Sequence, residues 1–285
     1  PERGEPERGV PANRPAIWMA TGCEWGSSSA KRRAGMTKLR PISEIVTKSI
    51  EDERGEFQSS STDIHAYASE AGQCARSIAM RMADIPVTDP PGDTAVWSMH
   101  VGSMIHDRIQ RAIMADYPEA ALEVPYRIGD ITGRADATYE PDGKLVVCEI
   151  KSMAPYAFEK AVLGTKYNKA EGPSPEHAMQ LGIGAVALKA AGRHLIYANK
   201  APKANQPAMH EWRDKGSGER MVAAEIKRLG AIVNDVESGI LPEREYGGDI
   251  IEEPQQTAWP CSYCRRRAAC VKFGPGRIEL GGATS

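Results

Sequence analysis

A single stretch, Gly129–Lys151, most restricts what this chain can fold into, because it holds two extended runs separated by strong turn residues. The pattern predicts strands over Gly133–Glu140 and Lys144–Lys151. The turn between them is Pro141-Asp142-Gly143, where proline presets one backbone dihedral and glycine accepts a positive φ. The sequence therefore predicts an antiparallel β-hairpin.

Three charged side chains are predicted to lie together on this hairpin. If Pro141 stands opposite Lys144, the antiparallel register places Asp136 opposite Glu149. Side chains alternate along a strand, so Glu149 and Lys151 share one face. Charges at the end of a buried strand are costly unless they pair or coordinate. Two carboxylates beside an ammonium thus indicate a metal-dependent hydrolytic site; the alternative is a surface hairpin with an ordinary Glu–Lys pair.

Composition excludes several classes of protein. The 285 residues are 41% hydrophobic and 26% charged, as in an ordinary globular protein, and the net charge of −2 gives no global basic field. Any binding to nucleic acid must therefore come from local patches. We find no apolar run long enough to span a bilayer and no signal peptide, so no membrane partner is predicted. Six cysteines in such a chain predict a reducing, cytoplasmic location and metal ligation rather than disulfides.

Two regions are distinguished by their composition. Residues 1–36 are rich in Pro, Gly, Arg and Ser and predict a disordered tail or extension. Residues 37–285 predict a single domain. Its clearest further elements are helices and strands over Trp97–Tyr117, Pro175–Leu188, His194–Lys200, Ala208–Trp212 and Glu219–Ser238.

The C-terminal region contains three cysteines spaced C-x2-C-x5-C: Cys261, Cys264 and Cys270. Packing explains such spacing poorly, and the set is one thiolate short of a four-ligand site. Cys74 is the best candidate for the fourth ligand, because Cys148 lies in the charged hairpin and Cys23 in the tail. The spacing leaves both an iron–sulfur cluster and zinc open.

Basic and aromatic residues after the hairpin are candidates for binding a single strand of DNA. Tyr156 could stack on a base, while Lys166 and the strand-end Lys200 could contact phosphates. An ordinary solvated loop over Ser152–Pro175 is the alternative interpretation.

These patterns carry a family resemblance. Gly133-x-x-Asp136 followed by Glu149-x-Lys151 resembles motifs II and III of the PD-(D/E)XK nuclease superfamily. Gly102-Ser-Met-Ile-His106 resembles motif I of its RecB-like branch, and Gln180 resembles the glutamine of motif IV. That motif usually has a tyrosine four residues later, where this chain has Gly184, so the role of the tyrosine is unfilled.

The cysteine pattern resembles the iron–sulfur members of that branch, the CRISPR-associated cluster-containing exonuclease family and its phage homologues. The resemblance implies a structural [4Fe–4S] cluster held by four thiolates, with zinc as the alternative: Cys74, Cys261, Cys264 and Cys270. It also implies an α/β fold, a restriction-endonuclease-like mixed sheet core flanked by helices. The N- and C-terminal segments would be joined by the four-cysteine cluster.

The resemblance also implies an activity, metal-dependent exonuclease cleavage of single-stranded DNA with 5′ to 3′ polarity. Asp136, Glu149, the carbonyl of Ile150 and His106 would hold Mg²⁺ or Mn²⁺. Lys151 would hold or polarise the attacking water, and Gln180 would orient Lys151 or the substrate. The processes implied are recombination, repair, phage replication or spacer processing, with a homo-oligomer or partner proteins of recombination or CRISPR type.

Two other classes of function remain open. One is a non-catalytic nucleic-acid-binding or assembly protein with the same fold. The other is a zinc-stabilised binding module in which the Asp…Glu-x-Lys match is accidental. The sequence contains no P-loop, so it encodes no helicase motor.

Overall fold

A mixed β-sheet with helices packed on both faces is the frame of the protein. The computed structural model describes residues 48–50, 52, 64–164, 167–214, 216, 218–246 and 260–280, and the statements below concern these residues. The strands are β1 (Ala66–Tyr67), β2 (Ala121–Ile128), β3 (Ile131–Tyr139), β4 (Val146–Met153), β5 (Gly192–Asn199), β6 (Met209–Asp214), β7 (Ile240–Leu241) and β8 (Ile278–Glu279). The helices are α1 (Ala75–Met82), α2 (Asp93–Asp116), α3 (Pro155–Phe158), α4 (Pro175–Ala187), α5 (Glu219–Glu237) and α6 (Arg267–Phe273).

The main sheet joins six strands in the order β1-β3-β4-β5-β6, with β2 paired to β3. β1 and β3 run parallel, as do β4 and β5, while the other pairs are antiparallel. The parallel β4–β5 pair is connected through α4, as parallel neighbours require a crossover. The predicted α/β fold, a mixed sheet flanked by helices, is confirmed. The joining of its ends by a four-cysteine cluster stays a prediction.

The edge of β3 opposite β2 is shared by two other strands. β4 pairs with β3 at 137–139, and β1 pairs with it at 131–132. Residues 133–136 of β3 therefore lie between two partners on this side and belong to neither ladder. This leaves a fork in the sheet, where a side chain can reach the backbone of the departing strand.

Two apolar cores hold the helices against the sheet. The larger includes residues of α1, α4 and α5, with Ile78, Ile183 and Leu229 almost fully buried. The smaller lies under α2, where Ile109 packs with residues of β3, β4 and β5 such as Ile150. Because α2 and α4 belong to different cores, the sheet edge between them can receive side chains from both.

Most predicted elements are observed within a few residues of their expected bounds, but the stretch after β4 differs. We expected a loop over Ser152–Pro175, and the chain instead forms α3 followed by a π-helical turn, Glu159–Leu163. Burial of Phe158 and Ala161 in the larger core explains this helical segment. In the described part of the chain, no helix is long and apolar enough to cross a membrane.

The predicted domain boundary stays a prediction. The tail over residues 1–36, including Cys23, lies outside the described residues. By contact density the chain divides into two units, residues 1–41 and 42–285, and everything described here belongs to the second.

Candidate functional site

Strands β3 and β4 separate at the predicted carboxylates. Their ladder ends at the pair Ala137–Cys148, and continuing its register by one residue places Asp136 opposite Glu149, which confirms the predicted register. Beyond that point the N–H of Ile150 donates to Oδ2 of Asp136 at 2.6 Å. The carboxylate thus takes the place of the backbone acceptor that a continuing ladder would supply.

Glu149, Lys151 and Gln180 form a closed triangle of hydrogen bonds. Nζ of Lys151 lies 2.7 Å from Oε1 of Glu149 and donates to Oε1 of Gln180 at 2.7 Å. Nε2 of Gln180 donates to the same Glu149 oxygen at 2.8 Å. Gln180 reaches the site from α4, whose N-terminus is capped by the Ser174 hydroxyl. The arrangement orients the lysine from two sides and leaves its third N–H for another acceptor.

Burial disfavours the charged forms of the two site carboxylates. Burial raises the pKa of Glu149 to about 7; the Lys151 ammonium opposes this, and the charges of Asp136 and Glu123 add to it. Burial likewise raises the pKa of Asp136, although the Ile150 N–H and nearby positive groups oppose the shift. Such a site gains free energy from a bound cation.

His106 reaches the carboxylates from the opposite core. Its Nδ1 lies 3.7 Å from Oδ1 of Asp136, beyond hydrogen-bonding distance. α2 approaches β4 closely at Gly102, where a Cβ would stand 2.8 Å from Oγ of Ser152. This close approach brings the histidine to the fork.

Two polar residues at the fork were not assigned to the site by sequence. Glu123 stands opposite Asp136 in the β2–β3 register and has a φ of +52°. Gln110 donates to Oε1 of Glu123 at 2.6 Å and to the backbone carbonyl of Asp136 at 2.9 Å. Gln110 lies four residues after His106, one helical turn, and this spacing is the signal that could have identified it.

A second histidine lies near the lysine. His177 bonds through Nδ1 to the Tyr197 hydroxyl at 2.6 Å, and that hydroxyl accepts the N–H of Ser174 at 2.9 Å. Burial, aided by the positive charge of Lys151, lowers the pKa of His177 to about 4. The imidazole is therefore neutral near pH 7 and adds no charge to the site.

The three predicted DNA contacts have different surroundings. Tyr156 on α3 is 72% exposed and presents its ring to solvent. Lys200 donates to the backbone oxygen and the hydroxyl of Ser98, both at 2.7 Å, so it ties the end of β5 to α2. Lys166 lies outside the described residues.

The four predicted cluster cysteines come from both ends of the described domain. Cys74 precedes α1, Cys261 begins a 3₁₀ turn that Cys264 follows, and Cys270 lies in α6. Burial raises the pKa of Cys74 to about 11, with a smaller contribution from Cys264. Burial also raises the pKa of Cys261, to which Cys264 and Cys270 contribute. Charge interactions thus join Cys264 to Cys74 and join Cys261 to Cys264 and Cys270, and all described cysteines are free.

Neither candidate site is a preformed cage. Among the residues the structure describes, no group of three or more His, Cys, Asp or Glu side chains is placed to hold a metal ion. The donor chemistry nevertheless fits: carboxylates with an imidazole suit Mg²⁺ or Mn²⁺, and four thiols suit iron or zinc. Burial raises the pKa values of Asp136 and Glu149 in one set and of Cys74 and Cys261 in the other, so the charged forms of these groups are disfavoured unless a cation is near.

The raised pKa of Glu149 should make the stability of the protein depend on pH. Its folded-state pKa of about 7 lies above the ordinary 4.5, so the native state retains a proton that the unfolded state has lost. This contribution to the free energy of unfolding is complete below about pH 4.5 and is lost as the pH rises through about 7. Urea denaturation in EDTA across that range should show a steeper loss for wild type than for Glu149→Gln.

The proton on the Glu149 carboxyl competes with a metal ion for the same oxygens. We expect the affinity for Mn²⁺, measured by titration calorimetry, to rise over this pH window in the wild type and to be weak in Glu149→Gln. Parallel stability curves for the two proteins would contradict the assignment of the raised pKa to Glu149.

Comparison with known proteins gives distant likenesses of structure alone. No family model matches the chain, and no curated protein matches its sequence. The structure of SSO0001 is 18% identical with a TM-score of 0.45, over 81% of this chain and 96% of that one. The alkaline exonuclease LHK-Exo from Laribacter hongkongensis is 11% identical with a TM-score of 0.41, over 78% of this chain and 100% of that one. The structure of LHK-Exo in complex with dAMP is 13% identical in sequence with a TM-score of 0.41, over 74% of this chain and 95% of that one. Similarities this distant assign no activity to the chain.

Proposed function

We propose that this protein is a metal-dependent deoxyribonuclease that hydrolyses phosphodiester bonds. The observation that carries the proposal is the fork between β3 and β4. There Glu149, Lys151 and Gln180 form one hydrogen-bonded group, and the carboxylate of Asp136 accepts the N–H of Ile150, the residue between Glu149 and Lys151. The motif order noted in the sequence supports the same assignment.

The residues that would hold Mg²⁺ or Mn²⁺ are Asp136, Glu149, the carbonyl of Ile150 and His106. Each carboxylate has one oxygen without a hydrogen bond among the described residues, Oδ1 of Asp136 and Oε2 of Glu149. When bound, such an ion lowers the pKa of a coordinated water and offsets charge on the phosphate.

Lys151 has the central part in the proposed chemistry. Two of its three donors are directed at Glu149 and Gln180, so the third can hold the attacking water beside the phosphate. Gln180 restrains the ammonium, because its amide accepts from Lys151 and donates to the Glu149 oxygen that Lys151 contacts. This pre-positioning lowers the cost of orienting the lysine during the reaction.

The finer proposal is an exonuclease on single-stranded DNA with 5′ to 3′ polarity. Exposed Tyr156 supports it as a stacking group for a base, with Lys166 and Lys200 as phosphate contacts. Lys200 would have to exchange its bonds to Ser98 for a phosphate. The polarity is taken from the family resemblance, as are roles in recombination, repair, phage replication or spacer processing and partner proteins of those systems.

The test is cleavage of end-labelled single- and double-stranded DNA in Mg²⁺ or Mn²⁺ and in EDTA. We expect metal-dependent cleavage by the wild type, none in EDTA, and almost none by Lys151→Ala. The position of the label in the products reports the polarity. Binding without cleavage in either metal would contradict the proposal and favour a non-catalytic DNA-binding or assembly protein.

We further propose that Cys74, Cys261, Cys264 and Cys270 hold a structural [4Fe–4S] cluster. Anaerobically purified wild type should contain iron and acid-labile sulfide, and Cys261→Ala should lose both together with much of its folding yield. Cys148→Ala is the matched control, since Cys148 is also buried but lies in β4, and the metal content of this variant should be unchanged. Zinc without iron in the wild type would favour the zinc-stabilised alternative. A stable, colourless and folded Cys261→Ala protein would count against a structural cluster.

A further inference from the structure

Tyr126 lies against two glycines at the fork. It is the cross-strand partner of Gly133, and a Cβ on Gly133 would overlap the Tyr126 ring. From α4, a Cβ on Gly184 would stand 3.1 Å from Cε1 of the same ring. The ring thus occupies space that both glycines leave free, and the residue is only 8% exposed.

The hydroxyl of Tyr126 lies at the edge of the candidate site, beside Gly133, three residues before Asp136, and Gly184, one helical turn after Gln180. Burial raises its pKa, and the negative charges of Glu149 and Asp136 raise it further. The phenol therefore stays protonated at neutral pH and can donate a hydrogen bond. Among the described residues no hydrogen bond to this hydroxyl is observed, and its oxygen is not one of the fully buried unpaired atoms, so it is open to a ligand.

Gly184 connects the Tyr126 ring to the helix that carries Gln180. It follows Gln180 by four residues, so both lie on the face of α4 that is directed towards the fork. A side chain at 184 would enter the space that Tyr126 fills from β2. The chain therefore supplies a phenol to this position from the sheet, where the resembling motif has a tyrosine on the helix.

We propose that Tyr126 is a further catalytic residue, whose hydroxyl donates a hydrogen bond to an oxygen of the DNA phosphate bound between Asp136 and Glu149. Gly133 and Gly184 provide the space for its ring. The proposal rests on the proposed nuclease function, because it takes the substrate to be a DNA phosphate. It also gives an acceptor to a hydroxyl that bonds to none of the described residues.

The test separates binding from cleavage. Binding of a labelled single-stranded oligonucleotide is measured by fluorescence anisotropy in Ca²⁺, which is expected to support binding without turnover. Tyr126→Phe keeps the ring and removes only the donor, and we expect its Kd to rise about tenfold. Tyr139→Phe is the matched control: Tyr139 is also 8% exposed but bonds to His194 in the other core, and its Kd should match the wild type.

Moving the tyrosine from position 126 to position 184 gives a second test by oligonucleotide affinity. Tyr126→Ala should bind the oligonucleotide weakly, and adding Gly184→Tyr should recover part of the affinity, because the phenol then enters the same space from α4. An unchanged Kd in Tyr126→Phe, or an equal loss in Tyr139→Phe, would overturn the proposal. So would a wild type that binds no oligonucleotide.

The cleavage assay in Mg²⁺ or Mn²⁺ reports on the underlying function. If Tyr126→Phe selectively loses affinity but the wild type cleaves nothing, the nuclease proposal fails while Tyr126 stands as a phosphate-binding residue. If the wild type cleaves, Tyr126→Phe should also lower the rate of cleavage at saturating DNA, since the donor acts on the reacting phosphate.

Discussion

Lys151→Ala is expected to reduce the rate of DNA cleavage by about 10²–10⁴-fold, the usual contribution of a positioned catalytic group. The physical reason is that its ammonium is directed by Glu149 and Gln180 and has one donor free for water. Removing it also leaves the buried Glu149 without its ion-pair partner, which favours the protonated carboxyl and weakens metal binding.

Lys144→Ala is the matched control for this prediction. Lys144 is exposed at the turn before β4, at the end of the strand away from Lys151, and its loss should leave the rate unchanged. Initial rates are measured on end-labelled DNA at fixed Mg²⁺, with circular dichroism to verify folding. A rate for Lys151→Ala within tenfold of the wild type would show that this lysine does not act in the chemistry.

Arg76→Met is expected to cause the largest loss of stability, about 3 kcal/mol or more in the free energy of unfolding. Arg76 is fully buried in α1 and donates to the carbonyls of Pro242, Gly274 and Gly276. Methionine fills similar space but leaves these buried acceptors unpaired, at about 1–3 kcal/mol each. The three carbonyls belong to segments flanking β7 and following α6, so this guanidinium holds the C-terminal region against α1.

Urea denaturation in EDTA measures this effect without any contribution from bound metal. The control is Arg277→Met: Arg277 is 59% exposed and pairs with Asp235 at 2.9 Å. An exposed ion pair of this kind contributes about 0–1 kcal/mol. Equal stability losses in the two variants would mean that Arg76 does not anchor the C-terminal region. A metal content reduced in Arg76→Met alone would connect this anchor to the proposed cluster.

Local sequence was sufficient to predict the centre of the candidate site. The turn at Pro141–Gly143 and the alternation along β4 predicted that Asp136 stands opposite Glu149, and the β3–β4 ladder has this register. Register follows from turn geometry over a few residues, so no tertiary information was needed. The helix that presents Gln180 could also be predicted from local sequence, because helical spacing is a property of neighbouring residues.

Other parts of the candidate site could not be predicted from local sequence. A positive φ is uncommon in a residue such as Glu123, and its place opposite Asp136 depends on how β2 twists past β3. The segment after β4 is helical because Phe158 is buried in the larger core, which a window of sequence does not reveal. In each case packing between distant elements decided the local conformation.

The sequence by itself thus determined that Asp136, Glu149 and Lys151 meet at the fork, because residues close along one hairpin are brought together by turn and strand geometry. Only the tertiary structure decided what surrounds them. Tyr126 reaches the space left by Gly184, and Arg76 bonds to carbonyls of Gly274 and Gly276 about 200 residues later in the chain. Such contacts depend on the packing of whole elements, and neither spacing nor propensity carries that information.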